Sequence, residues 1–338
     1  MPAEVDIAIV GTEGLLLESL LAEINEHSWL AGKLQLLGGE QSLGQVVEFG
    51  RQELVFDDLG QCDFSQTRIV ISAGDTGADR EWLERAQEAG CIILDIGARL
   101  FSESDLPPVV AGVNPQVLAA CSHGGILTLP DAAITQMAVL LKPLIDGVGL
   151  AHVSIVSCQA VSDLGRSGVE EMARQSAQLL NGKPITPLLF PKQIAFNLLP
   201  VDDQSAAGQA VSTERRYIDA LYRILGSRDV TLSLSCVWVP VFFGHSQVVH
   251  ITTAKPTHVG ELRDLLQGVS GIEVIDSSDI SPTAVTEASG KDLMSVGRIR
   301  SDLENTTDFS LWTVADNLRF GIARNTVKIV EVLVKDFL

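Results

Sequence analysis

Short apolar runs alternate with helical stretches along the N-terminal third of the chain, and this order constrains the fold more than any other feature of the sequence. Residues 5–10 (VDIAIV) form an apolar run that stops at Gly11. A leucine-rich helical stretch follows over residues 14–25, and a second apolar run covers residues 34–37. A strand, a glycine turn, a helix and a strand in this order are typical of the start of a parallel sheet.

The same rhythm continues further along. Residues 68–72 (RIVIS) and 91–96 (CIILDI) are predicted strands, and residues 79–89 between them are a predicted helix. Sheets of this kind bind ligands at the carboxyl ends of their strands. The turn that begins at Gly11 lies at such an end.

The pattern changes after a helix start at Pro130-Asp131, and we place a domain boundary around Thr128. Residues 151–159 and 229–243 alternate apolar and polar side chains with period two. This alternation predicts an antiparallel sheet with one buried face, rather than further parallel crossovers. Residues 318–333 read as a closing helix, but composition does not decide which domain it completes.

Length and charge narrow the class of protein. A chain of 338 residues suggests two domains. Its net charge of −19 argues against nucleic acid and anionic membranes as partners, because both require a positive surface. No apolar run reaches the roughly 18 to 20 residues that span a bilayer, and no secretion signal is apparent. We expect a cytoplasmic protein.

The five cysteines are scattered without any C-x-x-C pair, so we expect free thiols and no metal site. These cysteines are Cys62, Cys91, Cys121, Cys158 and Cys236.

A glycine turn, Gly11-Thr12-Glu13-Gly14, joins the first predicted strand to the first predicted helix. Backbone N–H groups and the helix dipole at such a turn can receive a phosphate, although a tight turn without a ligand has the same spacing. Ser42 closes the next turn (GGEQS), which lacks the basic residue that would select a ribose 2′-phosphate.

Several longer segments resemble the aspartate-semialdehyde dehydrogenase family, in the same order and nearly end to end. VGTEGLLLESLL resembles the cofactor turn of that family, VSCQAVSDLGRSGVEE its glutamine segment and WVPVFFGHS its histidine segment. VGRIRSDL and LWTVADNLRFGIARNTVKI resemble its closing segments. Within the family, the chain is most similar to the Usg-type paralogues.

The resemblance implies an α/β fold of two domains. Residues 1–128 and 318–338 would form a Rossmann-type parallel domain for NADP or NAD, completed by the C-terminal helix. Residues 129–317 would form an α+β substrate and dimerisation domain with a mainly antiparallel sheet. The implied activity is the NADP-linked oxidation of a semialdehyde to an acyl phosphate, in amino-acid biosynthesis, by a homodimer.

That chemistry needs a cysteine nucleophile, because an aldehyde delivers hydride only after it has become tetrahedral. In the family this cysteine precedes a Gln-Met pair at the start of a helix. The equivalent stretch here is LPDAAITQMAVLLKPL, and counting back from Gln136-Met137 places Ala132 at the nucleophile position. An alanine methyl group cannot attack a carbonyl.

The resemblance also implies roles for other residues. Gln159 would orient the substrate and His245 would act as general acid and base. Arg99 and Arg216 would contact phosphate, and Glu214 would bind the substrate amino group.

Two further positions complete this list. Trp238 stands where the family has the arginine that pairs with the substrate carboxylate. Asn325 would lie in the cofactor site. Without the resemblance, His245 would be an ordinary turn histidine, and the two arginines, Arg99 and Arg216, would be surface charges.

Three functions therefore remain open. The chain is a non-catalytic paralogue, or an active NAD(P)-dependent oxidoreductase on a different aldehyde, or a regulatory partner that forms mixed dimers with an active relative. In the second function the tetrahedral centre would form by hydration of the aldehyde or at another thiol, and Trp238 would shape an apolar pocket. Cys158 precedes Gln159 on a strand and should face the opposite side, whereas Cys121 lies beside His123, which could activate it.

Overall fold

The computed structural model describes residues 5–11, 14–27, 31–73, 81–97, 106–121, 124–201, 212–276, 281–302 and 306–338. Thr12, Glu13, Arg99 and His123 lie outside these ranges. The chain divides into two compact units, residues 1–131 with 322–338 and residues 132–321. The sequence suggests divisions at 128/129 and 317/318.

The helices are α1 (Leu15–Glu26), α2 (Glu81–Glu88), α3 (Ala132–Gly147), α4 (Gly165–Leu180), α5 (Thr213–Leu225), α6 (Val259–Gln267) and α7 (Arg324–Asp336). The strands of the first unit are β1 (Val5–Val10), β2 (Ala31–Gly38), β3 (Val46–Phe49), β4 (Gln52–Asp58), β5 (Ile69–Ser72), β6 (Ile92–Ile96) and β7 (Gly125–Leu129). Those of the second unit are β8 (Leu150–Gln159), β9 (Leu199–Pro200), β10 (Thr231–Trp238), β11 (His245–Thr253), β12 (Ile272–Val274), β13 (Met294–Ser301) and β14 (Asp308–Ala315).

The first unit is a three-layer α/β structure, as predicted. Its sheet has the order β3-β4-β2-β1-β5-β6-β7, and all neighbours are parallel except the β3–β4 hairpin. Because side chains alternate along a strand, Ile7 and Ile9 of β1 pack into a core with α1 and α7, whereas Ala8 and Val10 pack into a second core with α2.

Composition does not show which domain the closing helix completes. In the structure this helix, α7, packs on the first unit. Val327, Ile329, Val330 and Leu333 are buried in the same apolar core as β1. The Rossmann-type domain is therefore completed by the C-terminal helix, as the family resemblance implies.

The sheet of the second unit has the order β12-β13-β14-β11-β8-β10-β9. Four of its neighbouring pairs are antiparallel, which confirms a mainly antiparallel sheet. The two strands on which the prediction rested depart from it in their mutual pairing, because β8 and β10 are parallel, although each also has an antiparallel neighbour. Period-two alternation reports that one face of a strand is buried, and it carries no information about the direction of the neighbouring strand.

Candidate functional site

Three of the predicted site residues meet at one edge of the second sheet. Gln159 and Trp238 are the last residues of β8 and β10 and lie side by side in the parallel register. His245 is the first residue of β11, which runs antiparallel to β8, so it begins where β8 ends. It lies opposite Ala315, the last residue of β14. Strand direction alone thus brings these side chains to the same edge.

His245 is almost fully buried, with 1% of its surface exposed. The backbone N–H of Ala160 donates a hydrogen bond to Nδ1 of its ring at 3.1 Å. On the other side of the ring, Nε2 lies 3.3 Å from Oδ1 of Asp163, within ion-pair distance. The contact is not aligned as a hydrogen bond, and Nε2 has no other hydrogen-bond partner among the described residues.

The turn before His245 is tied to the turn after Gln159 by a buried amide. Oδ1 of Asn317 accepts the backbone N–H of Gly244 at 3.0 Å and the hydroxyl of Ser162 at 3.2 Å. Gly244 has a φ of +90°, and a Cβ there would lie 2.8 Å from the carbonyl oxygen of Ala284. Any other residue at position 244 would be strained at this φ and would clash with Ala284, so only glycine fits. The turn therefore constrains the position of His245.

Ala132 is the first residue of α3 and is 2% exposed. A Cβ on Gly321 would lie 2.6 Å from its methyl carbon, so backbone covers this side of the residue. Gln247, two residues beyond His245 on β11, donates from Nε2 to the carbonyl oxygen of Ala133 at 3.1 Å. The start of α3 is therefore anchored to β11, and its first residue carries a buried methyl group.

Trp238 lies in an apolar environment. Its indole meets the ring of Phe190 edge to face, with centroids 5.9 Å apart and planes at 76°. It also packs against a small buried cluster formed by Val161, Met172, Phe190, Ile194 and Leu199. The surroundings of Trp238 are thus aromatic and apolar.

Helix α5 supplies the remaining described candidates, Glu214 and Arg216. The carboxylate of Glu214 accepts the backbone N–H of Cys236 on β10 at 3.2 Å. Arg216 is exposed, and its Nη2 donates to Oγ1 of Thr213 at 3.1 Å. One residue further, the hydroxyl of the buried Tyr217 lies 3.5 Å from Nε2 of Gln159 and accepts its hydrogen bond. Glu214 thus anchors α5 to the strand that ends in Trp238.

The turn predicted to bind the cofactor, residues 11–14, is described in part. Gly11 donates its N–H to the carbonyl oxygen of Leu37, and Gly14 precedes α1 in extended backbone with open space at its Cβ position. A Cβ on Gly38 would lie 2.8 Å from Cβ of Ser42, which is buried. Gly11 and Ser42 therefore lie together at the carboxyl edge of the parallel sheet, where ligands of such sheets bind.

The side chain of Asn325 links two segments of the first unit by hydrogen bonds. Its Oδ1 accepts the N–H of Ala111 at 2.9 Å, and its Nδ2 donates to the carbonyl oxygen of Val109 at 3.1 Å. The side chain is buried and fastens the start of α7 to the 109–111 segment.

Burial disfavours the thiolate form of both candidate substitute nucleophiles. Burial raises the pKa of Cys121 and of Cys158 above the ordinary value. A thiol attacks a carbonyl as the thiolate, so a raised pKa makes it a poorer nucleophile. Burial on β8 alternates, with Gln159 buried and Cys158 only partly so, as expected for opposite faces.

Sequence reasoning missed three residues around His245 and Gln159. Asp163, Asn317 and Tyr217 make the contacts described above, yet none stood out as a motif. Asp163 and Asn317 lie inside the segments SCQAVSDLG and ADNLRFG, which resemble the family, so the signal available was their place in those segments.

The described ranges contain no group of three or more His, Cys, Asp or Glu side chains that could hold a metal ion. None of the helices within those ranges is long and apolar enough to cross a membrane.

Comparison with known proteins places both units in one family. Residues 6–121 match the semialdehyde dehydrogenase NAD-binding domain, and residues 141–320 match the semialdehyde dehydrogenase dimerisation domain. The NAD-binding match is compatible with NAD(P) as the cofactor.

Whole-length relatives agree. The chain is 35% identical to a USG-1 protein homolog of Azotobacter vinelandii, over 99% of each chain. It is 33% identical to an aspartate-semialdehyde dehydrogenase of Shewanella sp. over the full length of both. The crystal structure of aspartate-semialdehyde dehydrogenase II from Vibrio cholerae superposes with a TM-score of 0.93 at 34% identity, covering 99% of this chain and 100% of that one. The chain belongs to the aspartate-semialdehyde dehydrogenase family and has Usg-type relatives.

Proposed function

We propose that this protein is a Usg-type pseudoenzyme, a family member that does not carry out the NADP- and phosphate-dependent oxidation of aspartate semialdehyde. The observation that carries the proposal is Ala132, buried at the first residue of α3 and packed against Gly321. The reaction requires a thiolate that adds to the aldehyde and forms a tetrahedral thiohemiacetal, from which hydride can leave. A methyl group has neither a lone pair nor an acidic proton.

Trp238 is the second departure and affects substrate recognition. A guanidinium binds a carboxylate through two parallel, charge-assisted hydrogen bonds. The indole of Trp238 instead packs edge to face on Phe190, beside the apolar cluster. An amino-acid-like substrate would lose its ionic anchor at this position.

We propose that the first unit still binds NADP or NAD. The open space at Gly14 and the position of Gly11 and Ser42 at the carboxyl edge of the sheet support this proposal. When bound, the nicotinamide would supply a hydride acceptor. Residues 38–42 contain no basic side chain to select the 2′-phosphate of NADP, so both cofactors belong in the test.

We further propose that the second unit forms homodimers and, in cells with an active relative, mixed dimers. Support comes from the match of residues 141–320 to a dimerisation domain. A regulatory role through mixed dimers would give a reason to keep the fold without the nucleophile. Co-expression of the two differently tagged chains tests this, and recovery of homodimers alone would count against it.

The decisive experiment is an assay of the purified protein with aspartate semialdehyde, phosphate and either NADP or NAD, beside an active relative under the same conditions. We expect no reduction of either cofactor by this protein, and calorimetry in parallel reports whether each cofactor binds. Turnover that is abolished by His245→Ala would sink the proposal. A panel of other aldehydes tests the alternative of a changed substrate, which predicts cofactor reduction that thiol labelling inhibits.

A further inference from the structure

We propose that Asp163 is a positioning residue for His245, because its carboxylate faces Nε2 of the ring while a backbone N–H occupies Nδ1. The inference deepens the proposed function and rests on it. It adds a second chemical reason why the retained histidine does not act as a general base.

Nδ1 of His245 accepts a hydrogen bond from the backbone. The backbone N–H of Ala160 points at this atom from 3.1 Å, and an N–H group can only donate. Nδ1 must therefore offer its lone pair. In a neutral imidazole the proton is then on Nε2, because one ring nitrogen donates and the other accepts.

Nε2 of His245 faces a carboxylate oxygen. This atom is buried, and Oδ1 of Asp163 lies 3.3 Å from it. An ionised carboxylate accepts hydrogen bonds and does not donate them, so it is the complement of an N–H group. The side chain of Asp163 is 21% exposed.

Backbone and side-chain hydrogen bonds fix the two segments that bring Asp163 and His245 together. The N–H groups of Val161 and Ser162 donate to the carbonyl oxygens of Val241 and Phe242 at 3.0 and 3.1 Å. Asn317 bridges Ser162 and Gly244 from the side. The turn that carries Asp163 and the turn that leads into His245 are therefore held together at several points.

The chemical consequence follows from comparing this pair with a catalytic triad. In a triad the carboxylate binds one ring nitrogen, and the lone pair of the other faces the group that loses its proton. In this chain the carboxylate faces Nε2 and a backbone N–H occupies Nδ1. Neither nitrogen presents a free lone pair to a substrate.

Nitrogen-15 NMR of the histidine-labelled, full-length protein tests this directly, with His245→Gln used to assign the signal. We expect His245 to be the Nε2–H tautomer at neutral pH. The variant Asp163→Ala should raise the solvent-exchange rate of the Nε2 proton at least tenfold. The matched variant Asp163→Asn should keep that rate within about threefold of the wild-type value, because its amide oxygen can still accept.

Two results would overturn the inference. One is an Nδ1–H tautomer in the wild-type protein, which needs no variant and does not depend on how Asp163→Ala folds. The other is an exchange rate that Asp163→Ala leaves unchanged. The readout does not involve turnover, so it can fail while the dehydrogenase assay still shows no activity, and the reverse also holds.

Discussion

The methyl group of Ala132 faces the backbone of Gly321 so closely that a Cβ at residue 321 would lie 2.6 Å from it. The start of α3 and the segment after β14 therefore pack without room for another carbon. We expect Gly321→Ala to lower the free energy of unfolding by about 1–3 kcal/mol, the usual cost of overpacking.

Urea denaturation followed by circular dichroism measures this effect. Gly268→Ala is the matched control in the same unit, since a Cβ there would make only ordinary contacts, at 3.6 Å or more. An equal effect of the two variants would show that Ala132 and Gly321 can separate at little cost.

The buried amide of Asn317 gives a second prediction. Replacement by alanine leaves the N–H of Gly244 and the hydroxyl of Ser162 without their acceptor. The expected loss of stability is about 1–3 kcal/mol, the penalty for a buried polar group left unpaired. Asn181→Ala removes an exposed amide at the end of α4 and should cost less than about 1 kcal/mol. Chemical denaturation of both variants compares them, and similar losses would contradict the bridging role of Asn317.

A variant of Asn325 distinguishes an anchoring role of this side chain from a role in cofactor binding. The variant Asn325→Ala removes the acceptor of the Ala111 N–H, so hydrogen exchange of that amide should accelerate at least tenfold. Exchange measured by mass spectrometry or NMR reports this without any ligand. Unchanged exchange at Ala111, together with weaker NADP or NAD binding by calorimetry, would favour the cofactor role that the family resemblance implies.

Because the thiol of Cys91 is buried, we expect the folded protein to lose stability in alkaline solution. Burial raises the pKa of this thiol to about 11, against 9.0 for an unperturbed thiol, and its Sγ donates to the carbonyl oxygen of Thr67 at 3.0 Å. Between these two pH values the Cys91 thiol ionises in the unfolded chain and stays protonated in the folded chain, so ionisation lowers the free energy of the unfolded state. Stability is intact below pH 9 and should fall by up to about 3 kcal/mol as pH rises to 11.

Urea denaturation at pH 8, 9 and 10 checks the slope, and Cys91→Ala should flatten it. An identical slope in wild-type protein and variant would assign the alkaline sensitivity to other groups.

The sequence predicted the first unit well because buried parallel strands are continuous apolar runs, as in residues 5–10 and 91–96. The direction of β8 relative to β10 could not be predicted, since Leu232 and Leu234 alternate with serines whichever way the neighbouring strand runs. The pair of His245 and Asp163 was also beyond sequence reasoning. Asp163 follows β8 and His245 begins β11, and only the register of β8 against β11 brings them within 3.3 Å.

Helix α7 covers one face of the first sheet, yet the whole second unit, residues 132–321, separates it from β7 along the chain. During synthesis, the apolar side chains of Leu20 and Ile24 on α1 remain partly uncovered until α7 has been made. Helix α7 completes the apolar core in which they are buried. Contacts so distant in sequence slow folding and leave apolar surface uncovered in the meantime. We therefore expect the nascent N-terminal unit to be prone to aggregation, and to be bound by chaperones, until α7 has been synthesised.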